Sequence, residues 1–431
     1  MLRVFESFAG VGSQSMALRN IGVDFQVVGI SEVDRYALLA YDAIHCGNLE
    51  KPSTASQLEM LQEFTNCNIG YNFSTGRSEV PKKLEDILAL YIAHKRSKNF
   101  GDITKINPHN LPDFDLFTYS FPCKNISTAG SRAGFDEDSG TQSALLWECK
   151  KIIEAKKPKF LMMENVKGIL NKDNFINFNK WLSYLADLGY KSYYRLYNAT
   201  EFGIPQNRER VIVISALEVD YDIYTPLGKP LDKELADFLE TTVNAKYFLK
   251  PQRYQDSIER LMAKDFSVSY CIDAHYWNGS SPQNFLNKSR RQLVLGGAIR
   301  GRRILEGKRT TNKNTPIKQR LEINKSGTIN TLTTVQKDNC IFSVDEAKQI
   351  TLRRLTPLEC WRLMGYRDED FYKARDVAKL PEVKLYERAG RGIVVPMLEA
   401  IFKEVFLCDD RESLTTHHMD ISPTLIQTTL F

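Results

Sequence analysis

No Cys-x-x-Cys pair occurs among the eight cysteines of this chain (46, 67, 123, 149, 271, 340, 360 and 408), and there are only six histidines. Neither a zinc site nor a disulfide framework is indicated, and no metal is expected. Unpaired thiols point to a reducing, cytoplasmic setting. No long charge-free apolar run is present, so no membrane span is expected. Interpretable sequence begins within the first ten residues and leaves no room for a signal peptide. The net charge of +5 is too small to assign a partner by itself. What remains is a 431-residue chain whose hydrophobic content of 42% suits a globular protein, with room for two or three core-sized units.

The most informative stretch is Ser120-Phe121-Pro122-Cys123-Lys124-Asn125-Ile126-Ser127. It follows an apolar run, 114–119, that predicts a buried strand. Pro122 turns the chain off the strand end, and a polar segment with glycines at 130, 134 and 140 follows. A thiol at the carboxyl end of a strand, at the root of a pliable loop, is where an open α/β sheet holds reacting groups. A single cysteine is more often a small buried hydrophobe, so its company decides.

Leu2-Arg3-Val4-Phe5 predicts a short strand. It leads into the turn Phe8-Ala9-Gly10-Val11-Gly12 and a helical face of Met16, Ala17, Leu18 and Ile21. That order lets the backbone approach a ligand closely and points helix amides at it. A second strand, 25–30, ends at Ser31-Glu32, and Glu32 lies twenty residues after Gly12, the spacing at which an acid grips ribose hydroxyls. Segment 46–100 reads as an excursion on the surface, with helical periodicity over 84–94. Gly101-Asp102-Ile103 resembles a third strand end, with Asp102 placed to accept from an adenine amino group or, taken alone, a solvated loop aspartate.

A helix is predicted over 144–155, broken by Pro158. The apolar strand Phe160-Leu161-Met162-Met163 then ends in Glu164-Asn165-Val166. A carboxylate capping a buried strand is costly unless paired or functional. Gln206-Asn207-Arg208-Glu209-Arg210 leads into another buried strand, 211–214. Arg208 and Arg210, two apart in an extended segment, are expected on the same side. Thiol, carboxylate and arginines thus sit at strand ends of one α/β sheet.

In order, FAGVG, SEVD, GDI, PCKNIS, ENV and QNRER resemble the motifs of the DNA cytosine-5 methyltransferases of bacterial and phage modification systems. The match continues with RRLTPLECWRLMGY (353–366) and AGRGIVVP (389–396). The resemblance implies a doubly wound, mostly parallel, Rossmann-like sheet in 1–216, carrying the 46–100 insertion. A smaller mixed or β-rich target-recognition domain would span 217–350. A hinge and return to the catalytic domain would occupy 351–410, and 411–431 would form a tail. Cys123 would add to C6 of a flipped cytosine with Glu164 holding the N3 proton, the enamine at C5 then taking a one-carbon group from S-adenosylmethionine. Arg208 would orient Glu164 and the cytosine carbonyl, with Arg210 a supporting ion-pair partner. The donor pocket would comprise Phe8, Ala9, Gly10, Val11, Gly12, Glu32, Val33, Asp102, Ile103, Pro122 and Leu145, joined by Arg391 and Gly392. Implied partners are double-stranded DNA and a cognate restriction endonuclease, for a monomeric enzyme.

Between 288 and 325, basic residues including Arg290, Arg291, Arg300, Arg302 and Arg303 are offset only by Glu306 and Glu322. Interleaved glycines suit loops laid along phosphates. In position this region resembles the family's target-recognition domain, with Thr333 on its far edge near DNA. Thr356 is a plausible N-cap before Pro357. A second apolar helix, 393–406, folds back in the family against the first glycine turn.

Two positions depart from the family pattern. Lys124 stands where the family has Gln, and reads as a phosphate contact, as Ser127 does, or as a cation lowering the Cys123 pKa. Arg391-Gly392 stands where the family has Asn-Ser. A guanidinium about 6 Å from a sulfonium costs roughly 3 kcal/mol at an effective ε near 20. A donor with a carboxylate on the transferred carbon, carboxy-S-adenosylmethionine, would reverse that sign and make 5-carboxymethylcytosine. The alternative turns Arg391 away to Glu387 or to a phosphate. Rival readings are a tRNA-methylating relative, against which the long 216–350 region speaks, and an inactive DNA- and donor-binding module. A NAD-dependent dehydrogenase leaves the Cys–Glu–Arg set unexplained.

Overall fold

The structure is a computed structural model. It describes residues 1–407 apart from 48, 51, 53–54, 74, 123–125, 127–141, 219–225, 250–292, 306–307, 310–311, 313, 325–327, 334–338 and 345–349. Six strands form the main sheet: β1 (Leu2–Ser7), β2 (Phe25–Ser31), β3 (Leu116–Tyr119), β4 (Phe160–Val166), β5 (Tyr190–Asn198) and β6 (Glu209–Leu217). Their order is β2-β1-β3-β4-β6-β5, with the first four parallel and β6 antiparallel to both neighbours. Both faces are covered. Val4, Leu116 and Met162 pack on the side of α1 (Ser13–Asn20), and Phe5, Phe117 and Leu161 pack on the other. Burial on both faces is why β3 and β4 read as unbroken apolar runs. The chain goes from β1 to β2 in one direction and resumes with β3 on the other side of β1. The carboxyl ends of β1 and β3 therefore form the switch-point crevice where such sheets bind ligands.

The 46–100 segment is not the surface excursion expected. Helix α2 (Arg35–Tyr41) is followed by α3 (Gln57–Asn66) and α4 (Leu84–Arg96), which pack together. Met60, Phe64, Ile87 and Leu90 bury against Leu38 and Ile30 in a core of their own. Residues 98–100 cover the sheet edge, with an isolated bridge between Ile30 and Asn99. Charged residues on the outer faces of both helices masked this apolar seam in the sequence. Gly101-Asp102-Ile103 is likewise not a strand end. Asp102 caps a single 3-10 turn, Ile103–Lys105, by accepting from Thr104 N–H.

Helix α5 (Leu146–Lys156) buries Leu146, Cys149, Ile152 and Ile153, and stops at Lys157, whose φ is +43°, before Pro158. Helix α6 (Lys172–Asp187) was masked by its asparagines, yet it buries Phe178, Trp181 and Leu185. A second, antiparallel sheet is built on β7 (Leu293–Leu305), flanked by β8 (Ile317–Ile323) and β9 (Cys340–Val344), with β10 (Ile350–Arg354) beyond. Helix α7 (Pro357–Arg362) starts as expected: Thr356 and Glu359 form a reciprocal capping box with Pro357 in the first turn. After α8 (Glu382–Arg391), α9 (Val395–Phe406) packs on α1. Its Leu398, Ile401 and Phe402 are buried, worth about 1.5–3 kcal/mol each. Among the described residues no helix is long and apolar enough to cross a membrane.

Candidate active site

The loop after β1 is forced into shape from behind. Phe8, Gly10 and Gly12 all have left-handed backbone, with φ of +56°, +58° and +78°. A Cβ on Gly12 would lie 2.4 Å from His45 Nε2 and 2.8 Å from the Tyr41 ring. Only glycine lets the chain pass there. Glu32, just past β2, holds the loop: Oε2 accepts from Gly10 N–H (2.9 Å), and Oε1 from Val33 and Asp34 N–H (2.8 Å each). Burial raises the pKa of Glu32.

Beneath the turn lies an acid that sequence reading passed over. Glu6 is fully buried and accepts from Ser15 N–H, Ser15 Oγ and Tyr41 Oη. Burial pushes it up from 4.5 to about 7 despite these bonds. Its contribution to stability is therefore complete below the unfolded value and lost as pH rises through about 7. We expect unfolding free energy to fall by roughly 3 kcal/mol between pH 4.5 and 7.5 on this account. Urea titrations across that range should show a shallower slope for Glu6→Gln.

Asp102 is also buried, and its oxygens are already engaged: Oδ1 by Thr104 N–H and Oγ1, and Oδ2 by Asn68 Nδ2. Ile103 is buried beside it and joins the core cluster under β1 and β3. At the end of β3, Ser143 Oγ donates to the Pro122 carbonyl (2.7 Å) and Asn165 Nδ2 to the Phe121 carbonyl (3.1 Å). The root of the cysteine loop is thereby tied to β4, and Leu145 packs at the start of α5. Cys123, Lys124 and Ser127 lie outside the described residues.

Glu164 on β4 is buried, with Arg210 Nε 3.0 Å from Oε1. Burial raises its pKa, while the positive charges of Arg210 and Arg208 oppose the rise. Both arginines act on Glu164 through their charge, as their expected shared side implies, but their backbone settings differ. Arg208 N–H turns back to the Gln206 carbonyl (2.9 Å), breaking the strand between Gln206–Asn207 and β6. The 3.0 Å ion pair with Glu164 is Arg210's, the supporting partner expected. Arg208, 1% exposed, instead donates to the carbonyls of Leu332 (3.1 Å), Gly390 (3.0 Å) and Gly392 (2.7 Å). Gln206 works alongside it, donating to the Leu363 carbonyl and accepting from Leu332 N–H.

The return segment closes the site. Arg388 is buried and places Nη2 2.8 Å from Asp34 Oδ2, and Arg391 Nη1 lies 3.0 Å from the same oxygen. Arg391 Nη2 also stands 4.0 Å from Glu387. Burial alone would push Asp34 up, but the two guanidiniums bring it down to about 2. Tyr366 Oη meets Ser13 Oγ at 2.9 Å, and Ile393 N–H donates to that same Ser13 oxygen (3.3 Å). Glycine turn and return segment are thus bolted together.

The profile of C-5 cytosine-specific DNA methylases matches residues 76–407. This chain belongs to that family. Type II methyltransferase M2.ScrFI of Lactococcus lactis subsp. cremoris is 42% identical over 413 residues, spanning 94% of this chain and 99% of the relative. Orphan methyltransferase M.SPRI of Bacillus phage SPR is 27% identical, across 94% and 97%. The solved S. pombe Dnmt2 methyltransferase shares the fold, with a TM-score of 0.55 at 15% identity, covering 94% of this chain and 98% of that one. As a cytosine-5 DNA methylase the protein methylates DNA with S-adenosylmethionine as donor.

The methylase's second sheet carries its basic residues unequally. Arg302 is bound by Glu322 through two bonds (2.7 and 2.8 Å), and Arg303 Nε donates to the Thr315 carbonyl. Arg300 is exposed, directly across from Arg320 on β8, and Thr333 is exposed as well. Arg290 and Arg291 lie outside the described residues.

The departure at Gly392 has a steric cause. A Cβ there would sit 1.8 Å from Tyr366 Oη, so restoring the family's serine expels the hydroxyl from Ser13. We expect Gly392→Ser to raise the KM for S-adenosylmethionine about tenfold, and Tyr366→Phe combined with Gly392→Ser to recover most of it. Steady-state kinetics with varied donor check this. Glu6, Asp34, Tyr366 and Arg388 are the residues that sequence reading missed. Asp34, two residues past Glu32, and Glu6, a lone acid inside an apolar strand, carried a usable signal.

Proposed function

We propose that this methylase acts on a cytosine flipped out of double-stranded DNA, by covalent catalysis. Cys123 thiolate adds to C6 while Glu164, in its neutral form, gives a hydrogen to N3, so the ring gains the electron density that C5 lacks. The observation that carries this reading is Glu164 itself: a buried carboxyl with a raised pKa, steadied by Arg210 and tied through Asn165 to the root of the Cys123 loop. Burial favours the protonated form, against the pull of Arg210 and Arg208, and Arg210 fixes the oxygen it approaches. S-adenosylmethionine, when bound, supplies an electrophilic methyl group. The glycine turn, Glu32, Asp102 and the Arg391–Gly392 segment would hold it.

The transferred group is methyl in this reading. The case for carboxy-S-adenosylmethionine needed an anion for Arg391, and Asp34 and Glu387 provide one within the chain. Mass spectrometry of DNA treated with both donors in competition should give 5-methylcytosine alone; 5-carboxymethylcytosine would overturn the assignment.

Duplex DNA containing 5-fluorocytosine, mixed with enzyme and S-adenosylmethionine, should form a denaturant-stable adduct that Cys123→Ala abolishes. Absence of an adduct would favour the inactive module. An adduct with tRNA but not with duplex DNA would favour the RNA-methylating relative. Arg300 beside Arg320 is the pair we assign to phosphate, because two like charges directly opposite on neighbouring strands need an anion. The type II name of the 42% identical relative also supports a companion endonuclease.

A further inference from the structure

Behind two acids of the donor pocket stand two asparagines from the 46–100 segment. Asn99 is buried with all four of its hydrogen-bonding capacities used. Oδ1 accepts from Glu32 N–H (3.0 Å) and Gly101 N–H (3.1 Å), and Nδ2 donates to the Glu32 carbonyl (2.9 Å) and to His94 Nδ1 (3.2 Å). Two backbone donors facing Oδ1 exclude the flipped amide. His94 Nδ1 is therefore an acceptor, and its Nε2 carries the hydrogen toward Glu63, 3.0 Å away. One step earlier the backbone does the same work: Ile30 N–H donates to the Lys98 carbonyl and Phe100 N–H to the Ile30 carbonyl. The Asn99 side chain thus prolongs the edge pairing of β2 by one pair, onto Glu32.

Asn68 grips the other acid. Its backbone is left-handed, φ +55°, which asparagine tolerates better than most residues. Nδ2 donates to Asp102 Oδ2 (2.6 Å), while Oδ1 accepts from Lys105 Nζ (2.9 Å). The neighbouring backbone is locked too: Asp102 N–H donates to the Cys67 carbonyl, and Gly70 N–H to the Val33 carbonyl. A Cβ on Gly101 would lie 2.4 Å from the Cys67 oxygen.

We infer that the 46–100 segment is a donor-side clamp, in which Asn99 and Asn68 are positioning residues that set Glu32 and Asp102 for the adenosine half of S-adenosylmethionine. The inference rests on the donor-pocket reading above. Every bond just described ends on the loops that carry those two acids or on the clamp itself, which separates this role from DNA contact.

Isothermal titration of the full chain with S-adenosylhomocysteine tests it, with donor KM, kcat, duplex affinity and thermal midpoint measured on the same preparations. Asn68→Gly keeps the left-handed backbone and removes only the amide. It should weaken analogue binding and raise donor KM about tenfold, leaving kcat at saturating donor and duplex affinity unchanged. Asn68→Asp, which sets a second carboxylate against Asp102, should be worse, and Asn99→Ala at least as severe as Asn68→Gly. Unchanged analogue affinity in both Asn68→Gly and Asn99→Ala overturns the clamp. So does an equal loss of duplex affinity, or a fall in kcat that tracks a lowered thermal midpoint. Failure of the wild-type chain to bind the analogue overturns the pocket reading, and the clamp with it.

Discussion

Glu164→Gln is expected to lower kcat for methyl transfer by 10²–10⁴-fold, the usual worth of a positioned acid. The amide keeps the size of the side chain and can still donate a hydrogen bond, but it has no proton to give to N3. Burial has already done the tuning: it holds the carboxyl neutral to a higher pH than an exposed glutamate, against the pull of Arg210 and Arg208. Substitution also sets an amide, in place of the carboxyl, 3.0 Å from Arg210 Nε. Donor binding should not change, because Glu32, Asp102 and the glycine turn are untouched. Single-turnover transfer of labelled methyl to a duplex, with donor saturating, measures the effect. A rate within threefold of wild type would remove Glu164 from the chemistry.

Arg208→Ala is expected to act on folding. Three carbonyls, from Leu332, Gly390 and Gly392, depend on this guanidinium, and each buried acceptor left without a donor costs about 1–3 kcal/mol. A total loss of about 3–5 kcal/mol is expected, the size that marks removal of a buried network. Three chain segments would part together: the 329–332 edge beside Gln206–Asn207, the return segment, and β6 itself. Arg208→Lys should be nearly as damaging, since one ammonium cannot reproduce the planar fork. Urea denaturation of both variants measures the loss. A change under 1 kcal/mol in Arg208→Ala would show that the carbonyls find other donors.

How far each residue could be read from sequence depended on what it touches. The place of Glu32 just past β2 was legible because a fixed spacing after a glycine turn reflects local βαβ geometry. Thr356 and Pro357 were legible for the same reason, since a capping box closes within four residues. Of the α3–α4 pair, α4 was legible by its periodicity over 84–94, but the apolar seam it shares with α3 appears only when the two helices pack. The three carbonyls that Arg208 binds were not legible, because they come from segments 124 to 184 positions away and no periodicity announces them.

By itself the sequence determined the switch-point sheet, the ordered motifs and hence the family, because these depend on contacts close along the chain or on residue types in order. Only the tertiary structure decided what holds the site. Asp34 answers Arg391 across 357 positions, Tyr366 needs Gly392 to be glycine, and Asn68 and Asn99 stand behind Asp102 and Glu32. Charge neutralisation and steric fit are properties of neighbours in space, and folding alone chooses those neighbours.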